Sequence, residues 1–342
     1  MPGKAAEEAD SGVLSATTQT QPGAVWGAAA VKRFSTHGKT EPSVGTLTDP
    51  TSADSPENRQ RQALVGLLRQ PRYEVLPLAG TADIVEQHVP LTLPVTVTAS
   101  PRKGLEPTIT LAEGLARGGF TAVPHLAARL VYDEAHLSEI MCRLDDSGVR
   151  DVFVVGGDGE TPVGDFADSL QLLSAMKRLR QTDSGRSLQA VGVAGYPEGH
   201  PRVSQDELDR ALLEKQPLSS YIVTQMCFDA GAVHGWIGHA RALGVRLPVH
   251  AGIAGAVDRL KLMRIAGRIG VGTSLRFLRK QEGGARLLRS GGFRPDRLLD
   301  ELTSGGELAM DGLHVYTLGD VETTERWRRE LLDRLTDGGG HG

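Results

Sequence analysis

The chain has 342 residues but only two cysteines, Cys142 and Cys227. They form no CxxC pair, which leaves no basis for a zinc knuckle or a redox dithiol, and they read as reduced, partly buried thiols of a cytoplasmic protein. No apolar run approaches the roughly 20 residues needed to cross a bilayer. The N-terminus lacks the basic start and apolar core of a secretion signal. Net charge is only -4, with no strong basic clustering. Attraction to nucleic acid or to an anionic membrane is therefore not expected. No Gly-x-Ser-x-Gly elbow appears, so a serine hydrolase is unsupported. No internal repeat is visible.

The remaining composition, 39% hydrophobic and 23% charged, suits a soluble globular protein. Residues 1–58 stand apart. They are rich in Ala, Gly, Ser, Thr, Pro and Glu, bury too little apolar surface to offset ordering entropy, and read as a flexible leader. Val25-Trp26 and Val31 to Phe34 are either local anchors in it or make transient contacts only. Residues 59–342 read as one catalytic domain. From Arg72 onward short apolar runs alternate with helix-length amphipathic segments. The runs are Tyr73 to Leu78, Leu93 to Thr98, Thr121 to Pro124, Asp151 to Val155, Gln189 to Ala194, Tyr221 to Thr224, Leu247 to Gly252 and Gly312 to Leu318. Between them lie segments such as Asp133 to Ser147, where Leu137, Ile140, Met141 and Leu144 recur at helical spacing. Asp133 and Ser204 have the chemistry of N-caps. Alternating strands and helices imply parallel strands with right-handed crossovers, and eight strands predict closure into a (β/α)8 TIM barrel. Two helices, over Thr273 to Leu278 and Pro295 to Leu302, are expected before the last strand.

In such a barrel the site is built at the carboxyl ends of the strands. Glu74, Thr98, His125, Asp158, Tyr196 and Gln225 are assigned by this reading to six such ends. Glu74 lies among apolar neighbours. It is either a salt-bridged rim residue or an acid whose pKa burial raises toward neutrality, fit to donate a proton. Asp158 in Gly157-Asp158-Gly159 is a turn aspartate or a carboxylate for ligand N–H groups. The Gln225 amide would read a heterocycle edge or cap the next helix. Tyr196 would stack on a planar ligand or plug the barrel mouth. His125 and His200 share no metal-ligand spacing, and no metal is expected. Gly156 to Gly159 lacks the full spacing of a dinucleotide fingerprint. Backbone there can approach a flat ligand closely.

Several segments together resemble the methylenetetrahydrofolate reductase family over about residues 72 to 335. They are Pro124-His125-Leu126, Gly157-Asp158, Tyr196-Pro197-Glu198-Gly199-His200-Pro201, Thr224-Gln225 with Phe228-Asp229, and His314-Val315-Tyr316-Thr317-Leu318. The resemblance implies reduction of 5,10-methylenetetrahydrofolate to 5-methyltetrahydrofolate by a reduced nicotinamide. It assigns Glu74 as general acid. It places Asp158 and Gln225 on the pterin, with Tyr196 near it. It puts Thr98, His125, Tyr196, His200 and Lys215 on the flavin site of FAD-containing members.

The chain also departs from the family. Gly156 stands where an arginine is usual, Ala99 where a tyrosine is, and Leu208 and Ala211 where an aspartate and an asparagine contact FAD. Glu214 replaces a basic residue, Arg259 an aromatic after strand seven, and Gly319-Asp320 the arginine after Tyr-Thr-Leu. Each lost polar contact costs about 1 kcal/mol or more. The pattern resembles a flavin-free actinobacterial branch, with NADH, or NADPH, giving hydride directly to a folate. The alternatives are an FAD-dependent reductase, a folate-binding one-carbon transfer enzyme, and an inactive regulatory barrel.

Overall fold

The structure, a computed structural model, describes residues 55–100, 102–181, 185, 187–266, 292–304 and 308–337. Eight parallel strands close into a barrel: β1 (Arg72–Val75), β2 (Val95–Val97), β3 (Ala122–Ala127), β4 (Asp151–Val155), β5 (Ala190–Gly195), β6 (Tyr221–Thr224), β7 (Val249–Ala254) and β10 (Gly312–Tyr316). Each neighbours the next in sequence around the ring, and β1 pairs with β10 to close it, setting Glu74 opposite Tyr316. The expected (β/α)8 TIM barrel is thus observed.

Between these strands run α2 (Thr81–His88), α3 (Glu106–Arg117), α4 (Glu134–Asp146), α5 (Ser169–Arg180), α6 (Gln205–Lys215) and α7 (Ala230–Ala242). Their starts follow the capping chemistry in the sequence. The Asp133 carboxylate accepts from the His136 N–H at 2.8 Å. Ser204 and Glu207 form a reciprocal capping box on α6, which satisfies two otherwise orphaned donors. Helix α1 (Pro56–Arg69) precedes the barrel, so the boundary read at residue 58 falls inside a helix. The rest of the expected leader, residues 1–54, lies outside the described residues.

Period-two alternation divides each strand between two environments. Outward residues such as Val75, Val95, Val97, Val152, Val154, Val193 and Ile222 enter the main apolar layer beneath the helices. The Tyr73 hydroxyl donates to Glu325 at 2.8 Å on α10 (Val321–Asp337), and Glu325 is held in turn by Arg328. That network pins the last helix behind β1. Inside the barrel sits a smaller apolar cluster of Val123, Phe153, Tyr221 and Val223.

After β7 the chain departs from simple alternation. A two-residue strand, β8 (Val257–Asp258), pairs antiparallel with β9 (Gly292–Phe293), and α8 (Arg259–Ala266) follows β8 directly. With Met226, Phe228, Leu262, Phe293 and Leu318 these elements form a separate apolar cluster. Of the two helices expected here, the second is α9 (Asp296–Thr303), and Thr273 to Leu278 lies outside the described residues.

Large rings fill the barrel where glycines face them. A Cβ on Gly192 would lie 2.4 Å from the Tyr221 ring and 2.6 Å from Phe153, and one on Gly312 would lie 2.4 Å from Nδ1 of His250. Overpacking such a core costs about 1–3 kcal/mol. Gly192→Ala should therefore lower the unfolding free energy in urea by that amount. Gly66→Ala, on an exposed helical face with nothing within 4 Å, should instead add about 0.5–1 kcal/mol. Equal effects at both positions would contradict this packing.

Candidate active site

Glu74 points into the barrel from β1. Its Oε2 lies 3.1 Å from Nε2 of His314 on β10 and 3.5 Å from Nε2 of His125 on β3. Its side chain is 13% exposed, so most of the water that would solvate an ionised carboxylate is absent. Burial accordingly raises its pKa from 4.5 to about 7, against a smaller lowering pull from His125. Burial also holds the two rings neutral. His125 falls to about 4 despite the attraction of Glu74, and His314 to about 3 with help from the nearby Arg72 charge. The His314 contact serves both states of the acid. An ionised Glu74 accepts from Nε2–H, and a protonated Glu74 donates its O–H to the bare Nε2 of the other tautomer. The backbone is fixed as well: the Thr317 hydroxyl and N–H both donate to the Glu74 carbonyl, at 2.7 and 3.2 Å.

Tyr316 carries the arrangement from Glu74 to the next sector. Its hydroxyl donates to the Thr224 carbonyl at 3.0 Å, and its ring occupies space that a side chain at Gly252 would fill. The neighbouring Gln225 N–H donates to the Gly195 carbonyl at 2.8 Å. The end of β6 is thereby fixed with Gln225 just beyond it. Burial raises the Tyr316 hydroxyl pKa, with Glu74 and then Tyr196 adding to the rise. Burial likewise raises Tyr196, and the charge of Asp158 adds to it. His200 packs edge-on against Tyr196 at 5.2 Å between ring centres. Glu74, His125, Tyr316, Tyr196, Asp158 and His200 therefore form one electrostatically linked group. Thr98 follows the end of β2, where its N–H donates to the Val75 carbonyl at 3.0 Å.

Two positions differ from the sequence reading. His125 is not at a strand end: β3 continues to Ala127, and this places the imidazole inside the barrel beside Glu74. Lys215 does not join the group. Burial lowers its pKa, and the charges that face it are Asp168 and Glu214.

Four residues that the barrel interior brings together have no site role in the sequence reading: Arg72, His250, His314 and Tyr316. Arg72 donates to Asp151 at 2.5 Å and to the Tyr221 hydroxyl at 2.7 Å, and its guanidinium stacks 4.3 Å from the Tyr221 ring centre. His250 meets the same ring edge-on. The usable signal was alternation. Arg72 and Glu74, or Gly312, His314 and Tyr316, share one face of an otherwise apolar strand.

Among the described residues no cluster of three or more His, Cys, Asp or Glu is placed to hold a metal. No helix among them is long and apolar enough to cross a membrane.

The sequence model of the family described as methylenetetrahydrofolate reductase matches residues 74–283, more than half of the chain. Methylenetetrahydrofolate reductase 1 of Schizosaccharomyces pombe is 28% identical over 117 residues, covering 32% of this chain and 19% of that protein. Methylenetetrahydrofolate reductase 2 of Saccharomyces cerevisiae is 39% identical over 69 residues, 19% of this chain and 11% of that protein. The matched stretches thus span at most a fifth of these two relatives. Among solved structures, a Clostridium thermocellum protein that binds two copies of 5-methyl-5,6,7,8-tetrahydrofolic acid superposes with a TM-score of 0.54. It is 12% identical and covers 80% of this chain and 98% of that one, which shows a shared fold.

The buried rings set an acid limit on stability. His125 and His250 both fall from 6.5 to about 4, and His314 to about 3, each chiefly through burial. Above pH 6.5 these rings are neutral in both states and cost nothing. As pH falls from 6.5 toward 4, the unfolded chain takes up protons that the folded one refuses, and stability drops. Glu74 runs the other way, its stabilising share being complete below 4.5 and lost as pH rises toward 7. His250→Asn should flatten the decline between pH 6.5 and 4 by up to about 1.4 kcal/mol per pH unit. An unchanged slope in urea unfolding across that range would show that His250 is not held neutral.

Proposed function

Because the chain belongs to the methylenetetrahydrofolate reductase family, we propose that it reduces 5,10-methylenetetrahydrofolate to 5-methyltetrahydrofolate with hydride taken directly from NADH. The catalytic domain would begin with α1 at Pro56, and the residues before it would be a leader. The observation that carries this reading is the seat of Glu74, a carboxyl group lifted to about 7 by burial in a barrel interior. At neutral pH about half of the molecules then hold a proton ready to give.

Protonated Glu74 donates its proton to N10. The bond from N10 to the bridging carbon breaks, leaving a 5-iminium cation, and hydride reduces that carbon. Net, one NADH and one proton are consumed for each methyl group formed. Asp158 supplies negative charge to the cationic pterin, and Gln225 orients it through an amide that both donates and accepts. Tyr196, half-buried and packed against His200, would limit access of water. Holding donor and acceptor together can contribute roughly 7–11 kcal/mol toward the barrier.

The α6 face supports a reductase without a resident flavin. Leu208 and Ala211 present no hydrogen-bonding group. The carboxylate next to them, Asp209, is already bonded to His239 and to Gln205, both at 2.7 Å. Lys215 on the same helix faces the charges of Asp168 and Glu214, so α6 offers few free polar partners to FAD.

Purified protein with NADH and methylenetetrahydrofolate, and no added flavin, should oxidise NADH while showing no flavin absorption. Activity only after FAD is added would restore the flavin-dependent reading. No oxidation in either case would point to folate transfer or a regulatory barrel. Glu74→Gln should lower turnover by about 10²–10⁴, the usual range for a general acid, with the far-ultraviolet spectrum unchanged. Near-normal turnover would remove Glu74 from this role.

A further inference from the structure

The loop joining β4 to α5, residues 156–168, carries Asp158 and has no helix or strand of its own. Uncovered loops of this length are uncommon unless something organises them. Here that something is Arg129, in the short helical turn Ala128–Leu130 after β3. Its Nε donates to the Ala167 carbonyl at 2.8 Å. Its Nη1 donates to the carbonyls of Gly159, at 2.6 Å, and Glu160, at 3.3 Å. Its backbone N–H donates to the Gly156 carbonyl at 3.1 Å, and its own carbonyl accepts from Val163 N–H at 3.0 Å. These contacts bracket Asp158 on both sides. Gly157, at φ +94°, places its backbone so that a Cβ there would touch Ala127 and the Arg129 stem at 3.3 and 3.6 Å. Farther along, Asp165 N–H donates to the Tyr132 carbonyl at 2.7 Å. A Cβ on Gly164 would lie 1.9 Å from that same oxygen, so the loop is laid directly on the chain that follows Arg129.

Arg129 makes no ion pair among the described residues. Its donors go to main-chain oxygens of a single loop, and charge-assisted bonds of this kind are stronger than neutral ones. The Asp158 charge reaches Tyr196 and His200, so the loop holds that carboxylate toward the candidate active site.

We propose that Arg129 is a positioning residue: it clasps the 156–168 loop in the one shape that presents Asp158 to the pterin. The proposal rests on the folate-reducing reading of the same site.

The test combines Arg129→Ala, Arg129→Lys, Asp158→Asn and the double variant R129A/D158N. Amide exchange at Val163 and Asp165 should quicken at least about tenfold in Arg129→Ala, as loss of roughly one charged hydrogen bond would allow. The KM for methylenetetrahydrofolate should rise about tenfold or more, while the KM for NADH stays put. A merely structural defect would move both. Arg129→Lys, with fewer donors in a different geometry, should fall between. The double variant should bind folate no worse than Asp158→Asn alone. Unchanged exchange, an unchanged folate KM, or fully multiplicative effects of the two substitutions would each overturn the clasp. If the wild type turns over no folate, the functional reading fails instead. Amide exchange together with fluorescence titration by 5-methyltetrahydrofolate then decides the clasp separately. If circular dichroism shows Arg129→Ala unfolded, Arg129→Lys carries the same comparisons.

Discussion

Keeping a carboxyl group in a place with too little water to ionise it fully at neutral pH is the constraint from which the rest of the site follows. Glu74 is surrounded by rings that could, in solution, carry positive charge and pull its proton away. Burial keeps His125 and His314 neutral, so His314 offers a hydrogen bond and His125 a close neighbour without a full opposing charge. A protonated imidazole at 3.1 Å would make Glu74 a carboxylate and leave no acid. The same desolvation thus raises the acid and disarms its neighbours, and neither shift would persist if the barrel were wetter.

The barrel interior is built to hold this polar centre. A barrel core is more commonly filled by branched aliphatic residues. Here aromatic and imidazole rings stand opposite glycines, Tyr221 against Gly192, His250 against Gly312 and Tyr316 against Gly252. The Arg72 cation, on the same face of β1 as Glu74, is bonded to Asp151, and Tyr221 bridges the two. Loss of one member of such a buried pair leaves a charge with no partner, which is costly. The polar rings also connect elements that are distant in sequence. Glu74 and His314 are 240 residues apart, and their contact forms only once β1 and β10 close the ring.

Much of the fold was legible in the sequence because each strand and helix announces itself within a few residues. The eight apolar runs contain the cores of all eight barrel strands, and Asp133 and Ser204 cap the helices as their chemistry suggests. The two-residue strands β8 and β9 were not legible, since two residues carry no periodicity and their pairing spans a long insertion. At the site, Glu74 stood out as a charge in an apolar run. Gln225 and Tyr196 stood out as polar residues just past strand ends. His314 and Tyr316 were visible as sequence but not as neighbours of Glu74, because that proximity is a property of barrel closure. His125 was placed one layer too high, since proline at 124 reads as the end of a strand, whereas β3 continues through it. Arg129 gave no local signal at all. Its partners are main-chain oxygens some 30 to 38 residues away.

The most direct measurement is the titration of Glu74 itself in the folded protein. Carbon-13 carboxyl resonances of glutamate-labelled protein would be followed with pH, with Glu74→Gln used to assign the signal. A midpoint near 7 is expected for an acid seated in a dry barrel between neutral imidazoles. A midpoint near 4.5 would mean that Glu74 is solvated or charge-paired at neutral pH, and the proton donor would have to be sought elsewhere.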